Sequence, residues 1–305
     1  MSVDLAPSVR RVLQRVKAQL QKDQRVEREA KLVGMQQLRA WCDQHDLATA
    51  TWFTAKTVSF DVTIMQTIEQ TLRELGLAGL AVDISQQDRF AQSDSGVAEY
   101  KTTGLAPTEK RVLMAQANCG AYFPEWVTEA PSQWVMDVDW QTLQLKQFSD
   151  VLIVENRDAF YAYFALHPQR YILPEQGLNA LVIYRGDGDE SKGCKALREA
   201  CLLAGKNLIY FGDYDSAGLN IALNGGYSHI MLPLDAYLFE EANDIAQDAK
   251  QIHLTQSVDA FARELSAENS LKKLLVHNTQ KQKGLRQQAF KGQLQIVPLS
   301  NTASR

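Results

Sequence analysis

Four short, uniformly apolar segments, 151–154, 180–184, 207–211 and 229–232, alternate with helical stretches at 158–166, 191–204 and 216–223. No other feature constrains the fold so tightly. A strand half exposed to water alternates apolar and polar side chains, because successive residues point to opposite faces of a sheet. Val151, Leu152, Ile153 and Val154 do not alternate. Both faces of their strand must therefore be covered, as in parallel sheets joined by helical crossovers. The predicted class is α/β, with a small doubly wound parallel sheet in the C-terminal half and a helical extension over 235–275.

Open parallel sheets bind their ligands at the carboxyl ends of the strands. Glu155 follows the first of these strands, and Asp213 and Asp215 follow the third. Alternate residues of an extended segment share a direction, which lets Asp213 and Asp215 address one point while Tyr214 packs elsewhere. Three carboxylates at one edge repel one another unless a cation joins them, so the pattern predicts a hard ion, Mg²⁺ or Mn²⁺. Gly186, Gly212 and Gly218 leave room for turning or close approach, Asn156 and Asp187 stand in support, and Arg185 is placed to meet a phosphate. A lone acidic residue after a strand is more often a helix cap, and Asp187 and Glu190 taken singly carry that reading too.

Residues 1–148 read as a mainly helical region for binding DNA or a partner, ahead of a domain spanning 149–305. Val9, Val12, Leu13, Val16 and Leu20 form one apolar stripe, predicting a long helix that breaks near Gly34 and resumes through Leu38 and Trp41. A strand is expected within 51–60, then a helix capped by Asp61, and a polar loop or wing over 83–99. A helix carrying Val112, Leu113 and Ala117 is expected after Pro107, and an extended connection over 134–145. Short helices followed by extended pieces are compatible with winged-helix units.

The net charge of −4 does not favour nucleic acid, but both ends of the chain are basic and the interior is acidic. The residues predicted to meet DNA are Arg10, Arg11, Arg15, Lys17, Arg185, Lys281, Lys283 and Arg286; a solvated helix face is the plainer reading of each basic segment. No apolar run approaches the about 20 residues of a membrane span. The four cysteines form no CxxC pair, which argues against structural zinc and a disulfide framework. The opening residues lack the order of a secretory signal, so a cytoplasmic place is expected.

The segments Val154-Glu155-Asn156 and Asp213-Tyr214-Asp215-Ser216-Ala217-Gly218, with the glycine turn at Gly186, resemble the Toprim pattern. Within it they are most similar to the branch of the topoisomerase VI A subunit, and closest to the JetD-type nuclease subunit of Wadjet anti-plasmid systems. The resemblance covers roughly 151–233; over 1–148 it rests on domain order. It implies that Asp213 and Asp215 bind Mg²⁺, with Glu155 in acid-base chemistry or on a second ion. It further implies a DNA endonuclease, a homodimer, and action beside an SMC-like ATPase and its kleisin against plasmids. Topoisomerase relatives attack with a tyrosine instead, and only Tyr100 and Tyr122 precede residue 150, neither in a paired-tyrosine, arginine-flanked motif. Hydrolysis by water is therefore the expectation. The chain departs from the JetD-type pattern in Arg286-Gln287-Gln288-Ala289-Phe290, where an acidic residue belongs, and this puts the ligand set in question. The alternatives are a non-catalytic DNA-binding or regulatory Toprim module and a strand-breaking subunit with a tyrosine nucleophile.

Overall fold

A computed structural model of the chain describes residues 4–83, 87, 89–94, 105–117, 132–244 and 249–299. The chain divides into two compact units, Met1–Pro107 and Thr108–Arg305, so the boundary lies well before the 148/149 junction read from sequence.

The first unit contains α1 (Pro7–Gln19), β1 (Val26–Glu29), α2 (Val33–Gln44), β2 (Thr57–Phe60), α3 (Val62–Glu74) and α4 (Arg89–Asp94). The apolar stripe of α1 buries Val9, Leu13 and Val16 against Leu38, Trp41, Ile68 and Leu72. β1 and β2 pair antiparallel, with Val26 opposite Phe60. Asp61 caps α3 as expected, its Oδ1 accepting the Ile64 N–H at 2.8 Å. The long first helix is a correction: it ends at Gln19, a strand intervenes, and Gly34 falls in the first turn of α2. Within the expected wing the described residues include the short helix α4.

The second unit begins with β3 (Arg111–Ala117) and β4 (Gln133–Asp139). There follow β5 (Asp150–Val154), α5 (Arg157–Ala162), β6 (Tyr171–Ile172), α6 (Glu175–Asn179), β7 (Leu181–Tyr184), α7 (Lys192–Leu203), β8 (Asn207–Phe211), α8 (Ser216–Asn224) and β9 (His229–Pro233). The chain closes with α9 (Asp235–Glu241), β10 (Asn243–Asp244), α10 (Ala249–Glu264), α11 (Ser270–Gln280), β11 (Lys283–Gly284) and β12 (Gly292–Pro298). One eight-stranded sheet runs in the order β4-β3-β7-β5-β8-β9-β12-β6. Its centre, β7-β5-β8-β9, is parallel, and Val151 to Val154 are each 0% exposed, so both faces are covered. The sheet is mixed rather than purely parallel, because β3 joins β7 antiparallel and β12 joins β9 antiparallel.

β3 replaces the helix expected after Pro107. Leu113, Met114 and Ala115 favour helix by propensity, but β4 on one side and β7 on the other supply ladder partners, and packing overrides propensity. The extended connection expected over 134–145 is β4 followed by a 3₁₀ turn at Trp140–Thr142. Leu238, Val258, Leu271 and Leu274 of the helical extension join the core of the sheet. No helix among the described residues is long and apolar enough to cross a membrane. Cys42, Cys194 and Cys201 are buried free thiols; Cys119 lies outside the described residues.

Candidate functional site

The strand order determines where a site can form. From β5 the chain crosses to β7 on one side and then to β8 on the other, so the direction of winding reverses between β5 and β8. A crevice opens beyond the carboxyl ends of two strands related in this way. Glu155 is the first residue past β5, and its N–H donates to the Phe211 carbonyl of β8 at 2.8 Å. Its Oε2 accepts from the Tyr210 hydroxyl and from the Asp213 N–H at 3.3 Å. Glu155 and Asp213, distant in sequence, therefore lie side by side at the reversal point.

Gly212 permits this approach. A Cβ there would run into Glu155 Oε2 and the Tyr210 hydroxyl. Beyond it the alternation read from sequence holds. Tyr214 is fully buried and donates to the Leu274 carbonyl at 2.7 Å, while its backbone exchanges both hydrogen bonds with Leu285. Asp213 and Asp215, on either side of it, are half-buried. The Asp213 Oδ1 accepts the Gln287 N–H at 2.7 Å, and the Asp215 Oδ1 caps α8 by accepting the Gly218 N–H at 2.8 Å. Asp215 is thus a helix cap and a member of the acidic group at once.

The Asp213 carboxyl is raised above the usual aspartate range, first by burial and then by the negative charges of Asp215 and Glu155; the Gln287 N–H and Arg286 oppose the shift. None of the ion pairs among the described residues includes any of the three carboxylates.

This geometry falls inside a recognised family region. Residues 109–294, more than half of the chain, match the family model of a domain of unknown function, DUF7281. The chain belongs to the DUF7281 family. The DUF7281 region starts just before β3, ends within β12, and contains Glu155, Asp213, Asp215 and Gln287. No curated protein matches the chain.

Within the DUF7281 region the supporting residues divide. Asn156 caps α5, accepting the Ala159 N–H at 3.1 Å. Gly186 has φ of 129°, and a Cβ there would meet the Ser191 nitrogen at 2.7 Å, so the turn requires glycine. Asp187 is engaged elsewhere: it accepts from the Tyr184 hydroxyl at 2.5 Å and pairs with Arg157 at 3.2 Å. Burial first, and then Asp187, push the Tyr184 hydroxyl up to about 12.

Two residues of the site were not singled out from sequence. Tyr210 was one aromatic in an apolar strand, although a buried hydroxyl always needs a partner. Gln287 lies in the segment flagged for its missing acid. It is fully buried, its Nε2 donates to the Phe211 carbonyl at 3.0 Å, and its Oε1 accepts the Asn156 N–H at 3.1 Å.

The donor set is of the carboxylate-oxygen type that suits a hard cation such as Mg²⁺ or Mn²⁺. Among the described residues, however, no three His, Cys, Asp or Glu side chains converge as a ready ligand group. One oxygen of each carboxylate is held by a donor, and Glu155 Oε1, Asp213 Oδ2 and Asp215 Oδ2 take part in none of the hydrogen bonds described.

The basic residues also divide. Arg10 is corrected: at 1% exposure it is ion-paired with Asp4 at 2.5 Å and bonded to the Ala78 carbonyl at 2.9 Å, so it cannot reach DNA. Arg11 and Arg15 are exposed on α1, and Lys17 pairs with Glu69 at 2.6 Å. In the other unit Lys281 and Arg286 are exposed, Arg185 is half-buried beside the Gly188 carbonyl at 3.4 Å, and Lys283 pairs with Asp244 at 2.7 Å. Tyr100 and Tyr122 lie outside the described residues.

Proposed function

We propose that the chain is a Toprim-type, Mg²⁺- or Mn²⁺-dependent DNA endonuclease that hydrolyses phosphodiesters. The observation that carries this reading is the meeting of Glu155 and Asp213 at the winding reversal, with Asp215 two residues further along the same segment. Asp213 and Asp215 would hold the ion, with Glu155 in acid-base work or on a second ion. The bound cation supplies the charge that acidifies an attacking water and neutralises the leaving oxygen. Tyr210 fixes Oε2 of Glu155 and leaves Oε1 to take the proton of that water. The new bond joins the water oxygen to phosphorus, the bond to the leaving sugar oxygen breaks, and that oxygen takes up a proton. Arg185 and Arg286 are the basic residues of this unit available to orient the phosphate.

The same reading places a winged-helix-like first unit on DNA through Arg11 and Arg15, and makes the protein a cytoplasmic homodimer. It works with an SMC-like ATPase and kleisin against plasmids. The test is supercoiled plasmid incubated with the full chain and Mg²⁺. Nicked or linear product that disappears in Asp213→Ala supports hydrolysis, and an intact plasmid with the wild type rejects it.

A second reading, a non-catalytic DNA-binding or regulatory Toprim module, is favoured by the capping role of Asp215, whose Oδ1 is engaged at the start of α8. It predicts plasmid that is bound but uncut. The third, a tyrosine nucleophile, predicts a protein–DNA adduct that survives denaturant and vanishes in Tyr100→Phe or Tyr122→Phe.

A further inference from the structure

We infer that Gln287 is the positioning residue that holds the Glu155 and Asp213 loops in register, by bonding one loop through each end of its side-chain amide. What it positions them for rests on the metal-site reading above. Its contacts stand without that reading.

The loops after β5 and β8 are joined at one point by the backbone, the Glu155 N–H on the Phe211 carbonyl at 2.8 Å. The Asp213 N–H adds a bond to Glu155 Oε2 at 3.3 Å, and Gln287 adds a further closure. Its Oε1 accepts from Asn156, the residue after Glu155, and its Nε2 donates to the same Phe211 carbonyl that receives the Glu155 N–H. Its own N–H holds Asp213 at 2.7 Å. The side chain is 0% exposed, so no water replaces these partners if the amide is lost. Only an amide fits. A carboxylate at 287 has no donor for the Phe211 carbonyl and would add a fourth negative charge beside three others. The contacts at position 287 are thus met by a neutral side chain in place of an ionised acid.

The segment bearing Gln287 is also anchored away from the site. Arg170 donates to the carbonyls of Gln288 and Phe290, and the Tyr237 hydroxyl donates to Ala289 at 2.8 Å. Tyr237→Phe thus loosens the same segment without touching the two loops. It serves as the control for a merely structural effect.

The experiment compares wild type, Gln287→Met and Tyr237→Phe as full chains. Amide hydrogen exchange is followed at Asn156 and position 287, and Mn²⁺ affinity by calorimetric titration. Groups that orient metal ligands without touching the metal change affinity by about 10- to 100-fold when removed. Gln287→Met is expected to speed exchange at Asn156 and weaken Mn²⁺ binding within that range, while Tyr237→Phe leaves the affinity at the wild-type value. Unchanged exchange at Asn156 in Gln287→Met overturns the inference. So does faster exchange with wild-type Mn²⁺ affinity, or an equal loss of affinity in Tyr237→Phe. A wild type that binds no Mn²⁺ rejects the metal-site reading and, with it, any positioning role, while the exchange data separately decide whether the clamp exists.

Discussion

In the first unit Asp4 and Arg10 are buried against each other at 2.5 Å, with side chains 0% and 1% exposed, and two carbonyls of the 78–79 turn accept from Nη1 of the guanidinium. In the second, Glu155 and Asp213 meet at the winding reversal with Asp215 two residues further on, and none of the three takes part in an ion pair among the described residues. The first arrangement cancels its net charge internally, though the Arg10 Nε and Asp4 Oδ2 stay buried without a hydrogen-bond partner among the described residues. The second leaves like charges unresolved in a half-buried place, where repulsion and desolvation act together on Asp213. Under the function proposed above, a cation from outside completes such a place. Opposite charges paired inside a unit serve its fold, whereas the like charges at the winding reversal are where the proposed cation would act.

The sharpest way to break this contrast is to remove one charge from each arrangement. Asp4→Ala leaves a buried, unpaired guanidinium and is expected to destabilise the first unit by about 3–5 kcal/mol. A urea titration measures it, and a loss below about 1 kcal/mol would mean that the pair is not sealed. Asp213→Asn keeps an acceptor for the Gln287 N–H while removing one of three like charges, so folding stability should hold or rise. Plasmid cleavage in Mg²⁺ should fall by at least about 100-fold, since groups that merely orient ligands already account for up to that factor.

The pH dependence refines the contrast. Because the Asp213 carboxyl is raised in the folded state, the fold binds its proton more tightly than the unfolded chain does. Asp213 therefore favours folding at low pH, and that contribution is lost as pH rises from the ordinary aspartate range, about 4, through the raised value. Thermal midpoints of wild type and Asp213→Asn in metal-free buffer should diverge in favour of the variant across that window. Parallel curves would contradict the raised value. The smallest effect belongs to the exposed pair in the first unit. Lys17→Ala breaks a contact with Glu69 that water and salt already weaken, for about 0.2–1 kcal/mol at most.

The centre of the second unit was legible in the sequence because β5, β7, β8 and β9 are apolar on both faces, a pattern that exposed strands do not show. Glu155 and the Asp213–Asp215 pair were legible because a carboxylate just past such a strand is conspicuous. What was not legible depends on contacts distant along the chain. β3 looks helical until β7 is placed beside it, with Met114 opposite Ile183. Arg10 sits next to apolar Val9 on a basic helix, and only the 78–79 carbonyls reveal that it points inward. Gln287 is 131 residues from Asn156 and 74 from Asp213, so no local pattern announces it.

The most direct test of the central claim is the thermal midpoint of the wild type as a function of Mn²⁺, beside Asp213→Asn. A ligand that binds only the folded state stabilises it by RT ln(1 + [L]/Kd), about 2.7 kcal/mol at 100 times Kd. A midpoint that climbs with Mn²⁺ in the wild type and stays flat in Asp213→Asn is the predicted result. A flat wild-type curve, or one that Asp213→Asn reproduces, would contradict the claim that these carboxylates await a cation.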